Sequence, residues 1–156
     1  MEYLLTIITF VPLLGVVLIM LIPREEERTI KNIAIGLSFI PLLLATYLWF
    51  AFEKGGPAFQ FELLAPWIPS LNINYHVGAD GLSVPLVFLT TLLTTLCLVY
   101  SSYTIKVRVK EFFLLFLLLE MGMIGVFISL DLVLFYVFWE IGLVPMYLMI
   151  GIWGKP

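Results

Sequence analysis

Glu140 is an acidic residue in the middle of the apolar stretch FYVFWEIGLVPMYLM, residues 135–149. A charged side chain at the centre of a membrane helix costs about 2.5 to 3.5 kcal/mol on insertion scales, so such a group usually faces a bundle interior and marks an ion or proton path. Burial disfavours the ionised carboxyl and an approaching cation favours it, so its charge state can be switched. Glu140 is therefore predicted to transfer protons.

Two tyrosines and a proline are predicted to support Glu140. Tyr136 precedes it by four residues and Tyr147 follows it by seven, so the three side chains share one stripe of a helix. Pro145 has no N–H to donate to the carbonyl of Ile141, which predicts a kink or a hydrated carbonyl beside the carboxyl. The alternative interpretation is structural, with Glu140 protonated and hydrogen-bonded across the bundle.

Glu120 is a second carboxyl in an apolar stretch, and it is predicted either to transfer protons or to be structural. Its own helical stripe is apolar, so any partner must come from another helix; the stripe contains Phe113, Phe116, Ile124 and Phe127. The opposite face carries small residues suited to close helix contact, namely Gly122, Gly125 and Ser129.

The composition indicates an all-α membrane protein. Of the 156 residues 62% are hydrophobic and 12% are charged, whereas about half of the residues in a soluble domain are apolar. About 20 helical residues cross the hydrocarbon of a bilayer. The five predicted transmembrane helices are Tyr3 to Ile22, Ile33 to Phe52, Val84 to Ile105, Phe112 to Leu130 and Leu132 to Trp153.

The last two predicted helices are joined by almost no loop, so they must form an antiparallel pair that turns near Leu130. Glu120 and Glu140 each lie ten residues from that turn, which corresponds to about 15 Å along a helix. Both carboxyls are therefore predicted near the bilayer midplane.

Basic residues are concentrated in the first and third loops. The positive-inside rule places these loops in the cytoplasm or its organellar equivalent, and hence the N-terminus outside. The residues concerned are Arg24, Arg28 and Lys31, followed by Lys106, Arg108 and Lys110.

The long second loop, about residues 53–83, is predicted to lie on the outer surface with a short β-hairpin near NINYHV. Trp67 and Tyr75 are candidate interfacial anchors, and Ser83 is a candidate N-cap for the third helix. The main interpretation of this loop is a structural cap over the bundle. In the alternative, His76 handles protons.

No cofactor or metal site is expected. The chain has a single cysteine, Cys97, and a single histidine, His76, so the sequence offers no disulfide pair and no metal-ligand spacing. Cys97 is interpreted as a small packing residue. The net charge of −3 and scattered basic residues argue against nucleic acid as a partner.

Two segments resemble a known family: HVGADGLSVPLVFLTTLL and GVFISLDLVLFYVFWEIGLVPMYLMIGIWG. They are similar to the proton-pumping subunit M (chain 4) of NADH-quinone oxidoreductase, respiratory complex I, and the run F-W-E-x-x-L-V-P-M-Y is the most specific part. The resemblance covers the whole chain. It implies that Glu140 corresponds to the essential fifth-helix glutamate of the central proton-transfer axis.

The resemblance also implies that residues 1–156 are the N-terminal part of a fourteen-helix, antiporter-like transmembrane domain. The expected setting is the bacterial plasma membrane or an equivalent energy-transducing membrane. The expected partners are neighbouring membrane-arm subunits, lipid and protons, and the chain itself performs no redox chemistry. Family members pair the fifth-helix glutamate with a lysine on the seventh helix, and every Lys and Arg of this chain lies outside the five predicted spans.

Three alternatives remain at this point. Weaker versions of the motif occur in related subunits of multisubunit sodium/proton antiporters and of membrane-bound hydrogenases, and they imply either of those functions. A non-pumping structural or assembly fragment, whose proton path other chains complete, is the third.

Overall fold

The computed structural model describes residues 3–53 and 55–154, and within these it contains five α-helices and one two-stranded antiparallel sheet. The elements in chain order are α1 (Leu4–Met20), α2 (Glu27–Ala51), β1 (Gln60–Ile68), β2 (Ile73–Ala79), α3 (Ser83–Thr104), α4 (Val109–Ile128) and α5 (Leu132–Trp153).

Four of the five helices, α2 to α5, are long and apolar enough to cross a membrane. α1 is apolar but has 17 residues and is shorter than the other four. α2 begins at Glu27, six residues before the predicted Ile33, because a charged turn continues the helix beyond its apolar segment. Lys31 in that turn donates to the carbonyl of Ser102 at 2.9 Å, which ties the start of α2 to the end of α3.

α4 is the central helix of the bundle, in contact with α1, α2, α3 and α5. The predicted small-residue contact face is confirmed and lies against α5. A Cβ atom on Gly122 would sit 2.6 Å from the backbone nitrogen of Gly142, and one on Gly125 would overlap the ring of Phe138. The two helix backbones can approach this closely only because these side chains are absent.

The predicted hairpin is confirmed and is longer than the NINYHV run. β1 and β2 pair antiparallel with Ala65 opposite Tyr75, and a short 3-10 turn, Pro69–Leu71, joins them. Asn72, after that turn, takes the left-handed conformation (φ 55°) that a tight reversal requires and that Asn tolerates.

The hairpin covers the end of the bundle at which α1 and α3 begin. The hydroxyls of Tyr75 and Thr6 lie 2.9 Å apart, and burial raises the pKa of the tyrosine. Val77 and Ala79 are fully buried among apolar residues of α1, α3 and α4. These contacts support the interpretation of the loop as a structural cap.

The prediction that Ser83 is the N-cap of α3 is wrong. Asp80 supplies the cap: its Oδ1 accepts from the backbone N–H of Ser83 at 2.8 Å and of Leu82 at 3.1 Å. The Ser83 hydroxyl accepts in return from the N–H of Asp80 at 2.8 Å. The two side chains thus form a reciprocal capping arrangement, and the hydrogen bond from the Ser83 N–H is the main reason that the pKa of Asp80 is lowered.

Replacing Asp80 with Ala should destabilise the chain by about 1 kcal/mol, the usual effect of losing an N-cap. A lowered pKa means that this stabilisation is present above the ordinary value of 3.8 and is lost as the pH falls through the lowered one. Denaturant unfolding in detergent, followed by circular dichroism, should therefore separate wild type from Asp80→Ala at neutral pH and not in acid. Glu25→Ala, at an exposed loop position, is the matched control. Equal stability of all three chains at neutral pH would contradict the capping role.

Candidate functional site

Asp131, in the turn between α4 and α5, forms hydrogen bonds with both α5 and the hairpin. Its Oδ1 accepts from the backbone N–H groups of Val133 and Leu134 at 2.9 and 3.2 Å, which caps α5. Its Oδ2 accepts from the N–H of Asn74 on β2 at 3.1 Å. The bond from Asn74 is the main cause of the lowered pKa of Asp131. A single carboxylate therefore joins the start of α5 to the hairpin.

The backbone of the turn also pairs with β2. The N–H of Leu130 donates to the carbonyl of His76 at 2.8 Å, and Ser129 forms an antiparallel bridge with Val77. The His76 side chain turns instead to Glu62, with which its Nε2 makes contact. β2 thus positions the α4–α5 pair through its backbone, and the His76 ring takes no part in this contact.

The two predicted carboxyls lie at the same level of the α4–α5 pair. Glu120 precedes Ile128, the last residue of α4, by eight positions, and Glu140 follows Leu132, the first residue of α5, by eight. This corresponds to about 12 Å along each helix, slightly less than predicted because the turn itself takes three residues out of the helices.

Glu120 is enclosed within the bundle. Its side chain is 0% exposed, and neither carboxyl oxygen has a hydrogen-bond partner among the residues that the structure describes. Phe113 and Ile124 of its predicted stripe are buried with it, whereas Phe116 and Phe127 are half-buried. A hydrogen-bond partner for Glu120 was expected on another helix. No side chain in residues 3–53 or 55–154 provides one.

Glu140 lies on the opposite side of the pair, on an exposed face of α5. Tyr136 and Tyr147 are 62% and 78% exposed, and helical spacing places them on the same face as Glu140. Glu120 does not join it, because it points into the bundle and Glu140 points away from it. Of residues 132–153 only Leu134, Phe138 and Pro145 are buried.

α5 continues without interruption through Pro145, which is buried. Proline has no N–H for the carbonyl four residues earlier, so the Ile141 carbonyl beside Glu140 lacks its helical hydrogen bond. The kink expected there stays a prediction. Asp131 was not among the predicted residues, although an Asp directly before an apolar helical run is a common N-cap signal.

The described residues contain no group of three or more His, Cys, Asp or Glu side chains that could hold a metal ion. Cys97 is exposed on α3 and does not pack in the core of the described residues, so its interpretation as a packing residue stays a prediction. Its neighbour Leu98 takes the buried position instead.

Comparison of the amino-acid sequence with curated proteins identifies relatives of this chain. The sequence is 42% identical over 144 residues to NADH-ubiquinone oxidoreductase chain 4 of Marchantia polymorpha, covering 92% of this chain and 29% of that protein. It is 41% identical over 158 residues to NADH-quinone oxidoreductase subunit M of Rhodobacter capsulatus, covering 99% and 30%. The chain is a homologue of these subunits. No protein-family model matches it.

The fold leads to the same group of proteins. The structure superimposes on a chain of respiratory complex I from Thermus thermophilus with a TM-score of 0.76 and 25% sequence identity. The match covers 96% of the present chain and 29% of the Thermus chain. A chain of the Mrp complex from Dietzia sp. DQ12-45-1b gives 0.74 and 18%, covering 96% and 15%, which shows a common fold. Apolar helices and homologues together identify an integral membrane protein.

The chain spans about 30% of the length of the curated relatives that it matches. The exposed face of α5 is consistent with this, because a carboxyl and two phenols at mid-helix are unfavourable in contact with hydrocarbon.

Replacing Asp131 with Ala removes the acceptor for three backbone N–H groups and should detach the α4–α5 turn from β2. Residues opposite each other in an antiparallel bridge have Cα atoms about 4.5 to 5.5 Å apart, within the range of a disulfide. Cysteines at Val77 and Ser129, in a Cys97→Ala background, should therefore cross-link readily. We expect the cross-linked fraction at a fixed oxidation time to fall with Asp131→Ala.

Asp131→Asn keeps one acceptor oxygen and should give an intermediate cross-linked fraction. Glu62→Gln changes a nearby acid that does not bond the turn and should leave cross-linking unchanged. Undiminished cross-linking in Asp131→Ala would mean that the turn is held by its backbone contacts alone.

Proposed function

We propose that this chain forms part of a proton-translocating membrane-arm subunit of an NADH-quinone oxidoreductase, in which Glu140 takes up and releases protons. The observation that carries the proposal is the position of Glu140: a carboxyl at mid-length of an apolar helix, on a face that the described residues leave exposed. The identity of about 40% to subunit M and chain 4 proteins supports the same function. In this proposal residues 1–156 are the N-terminal part of the antiporter-like transmembrane domain.

The mechanism we propose is electrostatic. A cation about 4 Å from a carboxylate is worth about 4 kcal/mol at an effective dielectric constant of about 20, which changes the proton affinity of the carboxyl by about a thousandfold. Approach of a cation to Glu140 releases its proton, and withdrawal of the cation permits reloading. Tyr136 and Tyr147 flank the carboxyl and offer hydroxyls for hydrogen bonding, and the unpaired Ile141 carbonyl beside Pro145 offers an acceptor.

The cation belongs to a part of the subunit or to a neighbour that faces α5. Among the residues that the structure describes, every Lys and Arg lies in a loop or within the first five residues of α2 or α4. The chain therefore supplies the carboxyl, and its partners in the membrane arm complete the site. The role proposed for this chain is proton transfer alone.

All five helices are proposed to span the membrane with the N-terminus outside. The first and third loops meet at one end of the bundle: Arg24 pairs with Glu111 at 2.8 Å, and Lys110 donates to the carbonyl of Met20 at 3.2 Å. The hairpin and the α4–α5 turn meet at the other end. The basic end is the inner one by the positive-inside rule, in the bacterial plasma membrane or an equivalent energy-transducing membrane.

A component of a sodium/proton antiporter is the second candidate, favoured by the common fold with a chain of the Mrp complex. It would use the same carboxyl with a different driving force. Sodium dependence of proton transport would select the antiporter, and dependence on NADH oxidation would select the oxidoreductase.

Glu140→Gln in the complete complex should preserve assembly and abolish most proton pumping. Gln keeps the size and hydrogen-bonding capacity of Glu and lacks the titrating proton. The measurement is the pH change in sealed vesicles on addition of NADH, alongside the rate of NADH oxidation. Glu26→Gln, an exposed loop position, is the control and should pump normally. Near-normal pumping by assembled Glu140→Gln complexes would leave Glu140 with a structural role.

The orientation can be tested by cysteine labelling in a Cys97→Ala background. A cysteine at Gly56 should react with an impermeant reagent added from outside, because the second loop is external in the proposed topology. A cysteine at Glu26 should react only after the inner face is exposed. The reverse pattern would overturn the orientation.

A further inference from the structure

The apolar core of α1 to α4 is divided into two clusters along the helix axes. The outer cluster lies near the hairpin and includes Leu5 and Ile8 of α1, Ala45 and Leu48 of α2, Val84 and Val87 of α3, and Ile124 and Ile128 of α4. The inner cluster includes Val16 and Ile19 of α1, Ile30 and Ala34 of α2, Leu98 of α3, and Phe113 and Leu117 of α4.

Each of the four helices carries a polar residue between its outer and inner apolar residues. All of these side chains are no more than 3% exposed, and together they form a polar layer across the middle of the bundle. The members of the polar layer are Thr9 on α1, Ser38 on α2, Thr91, Thr94 and Thr95 on α3, and Glu120 on α4.

One hydroxyl of the polar layer reaches a neighbouring helix, and Thr9, Ser38 and Thr91 bond carbonyls of their own helices. The Thr95 hydroxyl lies 3.2 Å from the carbonyl of Ser38 on α2 and 3.1 Å from that of Thr91 on its own helix. The Ser38 hydroxyl donates to the carbonyl of Ile35 at 2.6 Å. Each hydroxyl retains lone pairs that can accept a further hydrogen bond.

Two prolines add carbonyl acceptors at the same level. Pro12 on α1 and Pro41 on α2 are both buried between the two apolar clusters. Neither has an N–H, so the carbonyls of Ile8 and Leu37 lack their usual helical donors. The middle of the bundle is therefore rich in oxygen acceptors, and apolar residues above and below it exclude bulk water.

Glu120 is the member of the layer that a packing role does not explain. A buried carboxyl without a hydrogen bond is costly, and an apolar residue of similar size would pack there at lower free energy. A structural contact would require a hydrogen bond, and neither oxygen of Glu120 makes one with the described part of the chain. A protonated carboxyl, in contrast, has an O–H to donate to the acceptors at its level.

We propose that Glu120 and the polar layer form a second proton-binding site, enclosed within α1 to α4 and separate from the exposed stripe of Glu140. In the proton-transfer step the O–H bond of Glu120 breaks, which leaves the carboxylate, and the proton passes to a water molecule held by the acceptor oxygens of the layer; the return step re-forms the acid. The site uses only residues of this chain, so it does not depend on the function proposed for Glu140.

Infrared spectroscopy of the 156-residue chain in lipid nanodiscs tests this site directly. In a Glu140→Gln background, the carbonyl stretch of a protonated carboxylic acid should be present at neutral pH and should disappear with Glu120→Gln. Transfer from H2O to D2O should shift the band, because the proton exchanges with solvent. Absence of a Glu120-dependent band, or a band that resists D2O for hours, would overturn the proposal.

Variants of the polar layer test the route of exchange. Thr95→Val is isosteric and lacks the hydroxyl, and should slow the D2O shift by about tenfold, the effect of losing one net hydrogen bond. Thr95→Ser restores the hydroxyl and should exchange as the parent does, as should Thr104→Val at the exposed end of α3. Circular dichroism verifies folding of each variant. Unchanged exchange in Thr95→Val would exclude the layer as the route.

Adding sodium in the same infrared experiment distinguishes a proton-binding site from a cation-binding site. Carboxylate, hydroxyl and carbonyl oxygens are also the ligands that hard cations prefer. Loss of the protonated band on adding sodium chloride, but not potassium chloride, would show that the layer binds sodium and would overturn the proton assignment. These experiments do not measure proton pumping by the complete complex. The proposal for Glu120 and the proposal for Glu140 can therefore fail independently of each other.

Discussion

The close contact of α4 with α5 is the constraint on which the rest of the structure depends. A Cβ atom on Gly122 would lie 2.6 Å from the Gly142 nitrogen, so any side chain at this position would force the two helices apart. This contact fixes Glu120 and Glu140 at one level and on opposite sides of the pair. One carboxyl is enclosed by the bundle as a result, and the other is presented to whatever packs against α5.

The hairpin extends this constraint to the membrane surface. Asp131 bonds both the first turn of α5 and β2, so the position of Glu140 along the bundle is set by the hairpin end and not by the loops at the basic end. Those loops are joined by side-chain contacts of exposed or half-buried residues, such as the pair of Arg24 and Glu111, which contribute little to stability. The two ends of the bundle therefore differ in how firmly they are held.

The sequence was sufficient for the helices, the hairpin and the stripe of Glu140, because hydrophobic length and helical spacing determine them. The sequence alone could not identify the N-cap of α3, because two nearby residues are both suitable. Asp80 and Ser83 are both good N-caps, and only the backbone geometry places Asp80 there. It also could not distinguish a buried Glu120 from an exposed Glu140, since both lie in apolar runs. The threonine pairs at 90–91 and 94–95 recur at helical spacing, and their position between two apolar clusters depends on helices distant in sequence.

The uneven burial of the helices has a consequence for biogenesis. α1 to α4 bury the side chains of the polar layer among themselves, so these groups need no further helix to shield them from hydrocarbon. α5 carries a carboxyl and two phenols on its exposed face, and a carboxyl in contact with hydrocarbon costs free energy until another helix covers it. The outward face of α5 is therefore the part of this chain whose insertion depends most on what packs against it.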